Sequence, residues 1–197
     1  MRTLEEETAP KRGQELSSSP PAPAASSKGL VIVYTGTGKG KTTAALGLML
    51  RAWGHGQKVL LLQFMKRPSN NTGEYRAAQR LGVEVIARGD GLGWRSRDPE
   101  KSRALAQELW ALAREKINSG EHQMVILDEL SYPIQYGWLP VEEALEVLRQ
   151  RPEGVHVVIT GRQVPQPLID LADLVTEMRE VKHPLRLGVK AQPGIEF

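Results

Sequence analysis

Residues Gly36-Thr37-Gly38-Lys39-Gly40-Lys41-Thr42-Thr43 combine types and spacing that suit the binding of phosphate. Three glycines leave backbone N–H groups unshielded by side chains, so that they can converge on phosphate oxygens. Lys41 adds a compact positive charge, and the Thr42 hydroxyl is suited to holding Mg2+. The apolar run Leu30 to Tyr34 precedes the loop, and a helix beginning near Lys41 follows it. The helix would bring its positive dipole end to the same place. The general pattern G-x-x-x-x-G-K-[ST] asks for glycine at position 35, where this chain has Thr35. Either the loop accommodates Thr35, or it starts at Gly36 and is one residue tighter.

A second constellation is Val125-Ile126-Leu127-Asp128-Glu129, an apolar strand ending in acids. Downstream of a phosphate loop, one such carboxylate commonly holds the metal of a metal–nucleotide pair, directly or through water. The bland reading of Asp128 is a turn cap. Glu129 could bind metal, activate water, or do neither. No Asn-Lys-x-Asp segment for guanine recognition is present, which favours ATP. Arg162, after Thr160-Gly161, stands at a strand end, where it either reaches phosphates or is a surface arginine. The loop Asp90-Gly91-Leu92-Gly93-Trp94 puts an aliphatic and an indole on glycine-flanked backbone. They serve either a large, flat, greasy second substrate or packing beneath the loop. Histidines 55, 122, 156 and 183 are scattered and read as structural.

The elements that must position these groups alternate. Strands are expected at Leu30–Tyr34, Val59–Gln63, Val83–Ala87, Met124–Leu127 and His156–Thr160, with a weaker one at Leu174–Thr176. Helices are expected at Thr42–Trp53, Glu74–Leu81, from Asp98-Pro99 onward, and at Pro140–Arg149. Asp98 is a natural N-cap, and Pro99 suits a first helical turn. Trp110 falls on the apolar face of that long helix and reads as core. Continuous apolar strands between helices imply a mostly parallel α/β sheet covered on both faces. With the glycine-rich loop between the first strand and the first helix, the expected class is P-loop NTPase-like (RecA-like). Ligands of such sheets bind beyond the carboxyl ends of the strands, here the loops after Tyr34, Gln63, Ala87, Asp128 and Thr160.

The 197 residues suffice for one such domain, expected over 29–197. Residues 1–28 are rich in Pro and Ser and read as a disordered tail. With 26 basic against 23 acidic residues and no basic run, nucleic acid is not an expected partner. The absence of cysteine removes thiol nucleophiles, zinc ribbons and iron–sulfur ligation. No apolar run approaches the ~20 residues of a membrane span, and the start lacks a secretory signal, so a cytoplasmic location is expected.

From about Gly29 to Phe197 the chain resembles the P-loop type of cob(I)alamin adenosyltransferase, also called ATP:corrinoid adenosyltransferase. The resemblance rests on Tyr34 through Ala45, Gly54-His55-Gly56, Gln63-Phe64-Met65-Lys66, Leu127-Asp128-Glu129-Leu130 and Thr160-Gly161-Arg162. The ending from Val181-Lys182-His183-Pro184 to Gly188-Val189-Lys190-Ala191-Gln192-Pro193-Gly194-Ile195-Glu196 is the most specific block. The resemblance also accounts for Thr35, because the short loop is the family's own. It implies transfer of the 5′-deoxyadenosyl group of ATP to cobalt(I) of a corrinoid, with release of triphosphate. It implies Lys41, Thr42 and Glu129 as catalytic residues, with Gly36 to Thr43 and Arg162 on ATP. Mg2+, or Mn2+, would be held by Thr42 and Glu129 with Asp128 in support. Leu92, where relatives carry an aromatic, and Trp94 would meet the corrinoid, which is either cob(I)alamin or a biosynthetic precursor. The N-terminal segment would act as a lid, an electron donor such as a reduced flavoprotein would make cobalt(I), and the assembly would be a homodimer. From the residues alone, a water-activating ATPase or a small-molecule kinase stays open.

Overall fold

In the computed structural model, residues 28–68, 72–91 and 98–196 are described. Six strands form one sheet: β1 Val31–Thr35, β2 Val59–Gln63, β3 Glu84–Ala87, β4 Met124–Asp128, β5 His156–Thr160 and β6 Leu174–Glu177. Their spatial order is β3-β2-β4-β5-β1-β6, and every pairing is parallel. The helices are α1 Lys41–Gly54, α2 Gly73–Leu81, α3 Pro99–Ser119, α4 Ser131–Gln135, α5 Val141–Gln150 and α6 Gln166–Leu171. A 3-10 turn, Pro184–Leu187, follows β6. Among the described residues no helix is long and apolar enough to cross a membrane.

Alternation along the buried strands sends neighbouring side chains to opposite faces. Val31, Val33, Leu60, Leu62, Val125, Leu127, Val157 and Ile159 face one way, onto Leu109, Trp110 and Ile117 of α3, Leu148 of α5 and Leu168 of α6. Ile32, Leu61, Ile126 and Val158 face the other, onto Ala45 and Met49 of α1 and Ala78 of α2. Helices therefore cover both faces, as the continuous apolar runs require. Trp110 is core as expected, 4% exposed, and its indole N–H donates to Glu143.

Differences from the sequence reading are local. β3 starts at Glu84, and β6 extends to Glu177. The short helices α4 and α6 were not anticipated, because neither is long enough to show a helical apolar period. All four residues of β6 are exposed, and the strand lies at the sheet edge, which explains its weak apolar signal. Asp98 caps α3 as expected, accepting the Lys101 N–H at 3.0 Å. The register aligns Gln63 with Asp128 and Tyr34 with Thr160, so the strand ends open at one level.

Candidate active site

The tighter of the two loop readings holds. Thr35 completes β1, is buried, and accepts the Val164 N–H on its hydroxyl at 3.2 Å. The turn begins at Gly36, at a φ of 97° that disfavours side chains. Gly36 and Gly38 also answer a demand that local sequence does not reveal. A Cβ at Gly36 would overlap the Met178 carbonyl oxygen, and one at Gly38 would lie 2.8 Å from it. The Gly38 N–H donates to that oxygen at 2.6 Å, so this glycine serves the chain's own backbone. Gly40, at φ 107°, opens α1 directly before Lys41 and Thr42.

The Lys41 ammonium lies inside the loop, donating to the Gly36 and Gly38 carbonyls at 2.9 and 2.6 Å. Burial and the nearby Arg162 charge lower its pKa below the ordinary lysine value. Thr42 donates its hydroxyl proton to Asp128 Oδ1 at 2.8 Å. Thr160 donates to the same oxygen at 2.6 Å, while Gln63 and Lys66 reach Oδ2 at 3.2 and 3.1 Å. Asp128 is 0% exposed. Burial raises its pKa, but the Lys66 charge and these hydrogen bonds outweigh burial and keep it below the usual carboxylate value. Asp128 thus stands behind Thr42 as its anchor.

Glu129 differs from its neighbour in every respect. Its backbone is left-handed, φ 64°, and its N–H donates to the Thr160 hydroxyl at 3.0 Å. Among the described residues no hydrogen bond or ion pair holds its carboxylate. Burial, and then the Asp128 charge, push it up to about 7, while Lys66, Lys41 and Arg162 pull the other way. Arg162 follows Gly161, where a Cβ would collide with the Ser131 side chain. Its carbonyl accepts Ser131 and Gln135 of α4 at 2.8 and 2.5 Å, which pins the turn and leaves the guanidinium at the surface.

These groups line one cleft of about 570 Å³, together with Gly38 to Thr43, Lys66, Gly73, Glu74, Tyr132 and Gly194 to Glu196. Of the residues singled out in the sequence, Gly38, Lys39, Gly40, Lys41, Thr42, Thr43, Glu129 and Arg162 meet there. Gly36 and Thr37 are not part of its lining, and Asp128 lies behind it. Leu92 and Trp94 lie outside the described residues, as do residues 1–27 of the tail. Lys66 and Thr160 entered the sequence reading only within the segments that carry the resemblance, and Glu74 only as the start of a helix; for the first two, polar residues at or just past the ends of β2 and β5 were the available signal. Glu196, which the resemblance includes only within the C-terminal segment, pairs with Lys39 at 3.3 Å. Of the four histidines, His156 and His183 accept backbone N–H groups, His55 stands at the C-cap of α1, and His122 is buried near Glu84.

The arrangement suits a polyphosphate with a hard cation, since it offers a cationic loop, a hydroxyl and a free carboxylate. A family profile described as ATP:corrinoid adenosyltransferase BtuR/CobO/CobP matches residues 27–197. A corrinoid adenosyltransferase of Escherichia coli K12 is 43% identical over 176 residues, 89% of each chain. The Salmonella typhimurium corrinoid adenosyltransferase CobA is 42% identical over the same shares. A corrinoid adenosyltransferase of Pseudomonas aeruginosa is 38% identical over 89% of this chain and 87% of its own. With these matches along nearly all its length, the chain belongs to the ATP:corrinoid adenosyltransferase family of transferases.

Proposed function

We propose that the cleft holds ATP with its triphosphate on the Gly36–Thr43 loop and presents C5′ to cobalt(I) of a corrinoid. The cobalt electron pair attacks C5′, the C5′–O5′ bond breaks, and triphosphate leaves. The nucleophile belongs to the substrate, which agrees with a chain without cysteine and a cleft lined by no histidine. The observation that carries the reading is the convergence of Lys41, Thr42, Glu129 and Arg162 on one cleft at the carboxyl edge of the sheet.

Each residue then has a task. Lys41 leaves its loop carbonyls for the triphosphate oxygens, stabilising charge that grows as the leaving group departs. Arg162, whose guanidinium has no partner among the described residues, adds a second cation, and Lys39 a third once Glu196 releases it. The loop following a strand and opening a helix in an all-parallel sheet supports a P-loop NTPase-like (RecA-like) fold. For the metal, the donor set is all oxygen: Thr42, whose proton is turned toward Asp128, and the unpartnered carboxylate of Glu129. That is the chemistry of Mg2+ or Mn2+, with Asp128 in support. Bound there, the ion would neutralise triphosphate charge.

The corrinoid would approach the loop carrying Leu92 and Trp94, after reduction by a donor such as a reduced flavoprotein. A homodimer working in the cytoplasm completes the reading. Product analysis with ATP and chemically reduced corrinoid tests it. Intact triphosphate together with an adenosylated corrinoid is expected. ADP and phosphate, or a phosphorylated acceptor, would replace this reading with an ATPase or a kinase.

A further inference from the structure

Lys66 occupies a place that neither the loop pattern nor the strand pattern requires. The chain reaches it through a turn at Met65, whose left-handed backbone (φ 44°) is unusual for a side-chain-bearing residue. Such a conformation persists only where its surroundings over-determine it. Phe64 and Met65 are buried, the Phe64 N–H donates to the Asp128 carbonyl at 3.0 Å, and a Cβ at Gly89 would overlap the Met65 backbone. The turn sends the Lys66 side chain back beneath the strand ends. There its ammonium joins two carboxylates from separate elements, Asp128 at 3.1 Å and Glu74 at 3.2 Å.

We propose that Lys66 is a positioning residue for the cation and phosphate end of the cleft, an inference that rests on the nucleotide reading of that cleft. Lys66 and Gln63 hold Asp128 Oδ2, which fixes the carboxylate so that Oδ1 receives the protons of Thr42 and Thr160. A hydroxyl that donates its only proton backward turns its lone pairs forward, toward a cation. Thr160, held in the same way, accepts the Glu129 N–H and so sets the second metal-facing side chain. On the other side, Glu74 ties Lys66 to the first turn of α2, where Gly73, Glu74 and Ala77 form a wall of the cleft. One ammonium therefore sets the donor geometry and the wall together, without contacting the reacting atoms.

A lysine with only a structural role would, when replaced, weaken ATP binding equally with and without metal as the fold loosened. A positioning lysine affects the metal-dependent part. The test uses the full chain, with ATP affinity titrated in the presence and absence of Mg2+ and thermal melting alongside. Lys66→Met should lose at least about 10-fold of the Mg2+-dependent gain in ATP affinity while ATP binding without Mg2+ is unchanged. Lys66→Arg, which keeps a cation within reach of both carboxylates, should restore most of that gain. A Lys66→Met protein with the full gain overturns the proposal, as does one losing affinity equally in both conditions with a lower melting temperature. If Lys66→Met does not fold, Glu74→Gln carries the test, since it loosens the ammonium without removing it. A few-fold loss of the Mg2+-dependent gain supports the proposal, and no loss overturns it. The wild-type titration separates the two levels. If the wild type binds no ATP with or without Mg2+, the nucleotide reading fails and the proposal with it. If the wild type shows an Mg2+-dependent gain that Lys66→Met keeps in full, only the role of Lys66 falls.

Discussion

The two edges of the sheet are made by the same strands, yet they treat polar groups in opposite ways. At the amino edge, Arg151 donates to the carbonyls of Gly29, Leu148 and Val155, and Asp173 accepts the Val31 N–H at 2.8 Å. His156 accepts the Leu30 N–H at 3.1 Å. These charged and polar groups close on the chain's own backbone and tie β1, β5 and β6 together. At the carboxyl edge, Asp128 is fully engaged, but Glu129 and Arg162 have no side-chain partner among the described residues. Burying a carboxyl without a partner is unfavourable, and a fold that keeps one there has a use for it beyond stability. The amino edge fastens the sheet, whereas the carboxyl edge leaves polar groups open to the cleft, as the proposed function requires.

The sharpest way to break this contrast is to remove one cation from each edge. Lys41→Ala should lower kcat by about 10²–10³, the range for removing one preorganised group that stabilises developing charge. Its melting temperature should stay near wild type, because the lysine's partners are loop carbonyls at the cleft. Arg151→Met should do the reverse. Three carbonyls lose a donor in a half-buried setting, so stability should fall by about 1–3 kcal/mol while kcat/KM is unchanged. Denaturant unfolding and steady-state adenosylation distinguish the pair. Equal activity losses in both variants would remove the division of labour between the edges.

How much of this was readable beforehand follows the range of the interactions. The glycine-rich loop between β1 and α1 was legible because its glycines, Lys41 and Thr42 are contiguous, and the main strands because each is an unbroken apolar run. Asp128 and Glu129 were visible as acids at a strand end, but their division into anchor and free carboxylate was not. That division depends on Gln63, Lys66 and Thr160, which arrive from the ends of two other strands. Gly36 and Gly38 were read as exposing N–H groups to phosphate, whereas their lack of a side chain also admits the Met178 and Arg179 backbone. Only the placement of β6 beside β1 brings that segment across, and local sequence does not encode it. The resemblance accounts for Thr35 as part of a short loop, but its partner, the Val164 N–H, comes from a distant segment that local sequence does not indicate.

A smaller test concerns the C-terminal stretch, which borders the cleft without being rooted in the core. Glu196 pairs with Lys39 and accepts the Gln192 N–H at 2.7 Å. Solvent-facing ion pairs contribute little, so Glu196→Gln should change KM for ATP by only about two- to threefold, with kcat unaltered. The direction should be toward tighter ATP, since the carboxylate and the triphosphate compete for the same ammonium. A large loss of kcat would show instead that Glu196 belongs with Glu129 in the chemistry.

The finest expected effect sets the two edges against each other through pH, measured on the protein without nucleotide or metal. Burial, and then the Arg151 charge, lower the pKa of His156 in the folded protein. An unfolded histidine titrates near ~6.5, so below that pH the unfolded chain binds more protons and stability falls as pH falls. Glu129 acts with the opposite sign. Its carboxyl is pushed up to about 7 in the fold, so between an unfolded value near ~4.3 and that point the folded chain holds more protons. Its contribution therefore weakens stability as pH rises through the same window. The two slopes partly offset in the wild type and should separate in single variants. His156→Gln should leave a melting temperature that declines from pH 5 to pH 7, and Glu129→Gln one that climbs over the same range. The half-exposed setting of His156 makes its slope the shallower of the two. If both variants retained the wild-type profile, the amino-edge histidine and the carboxyl-edge glutamate would not be held in the protonation states that their surroundings impose.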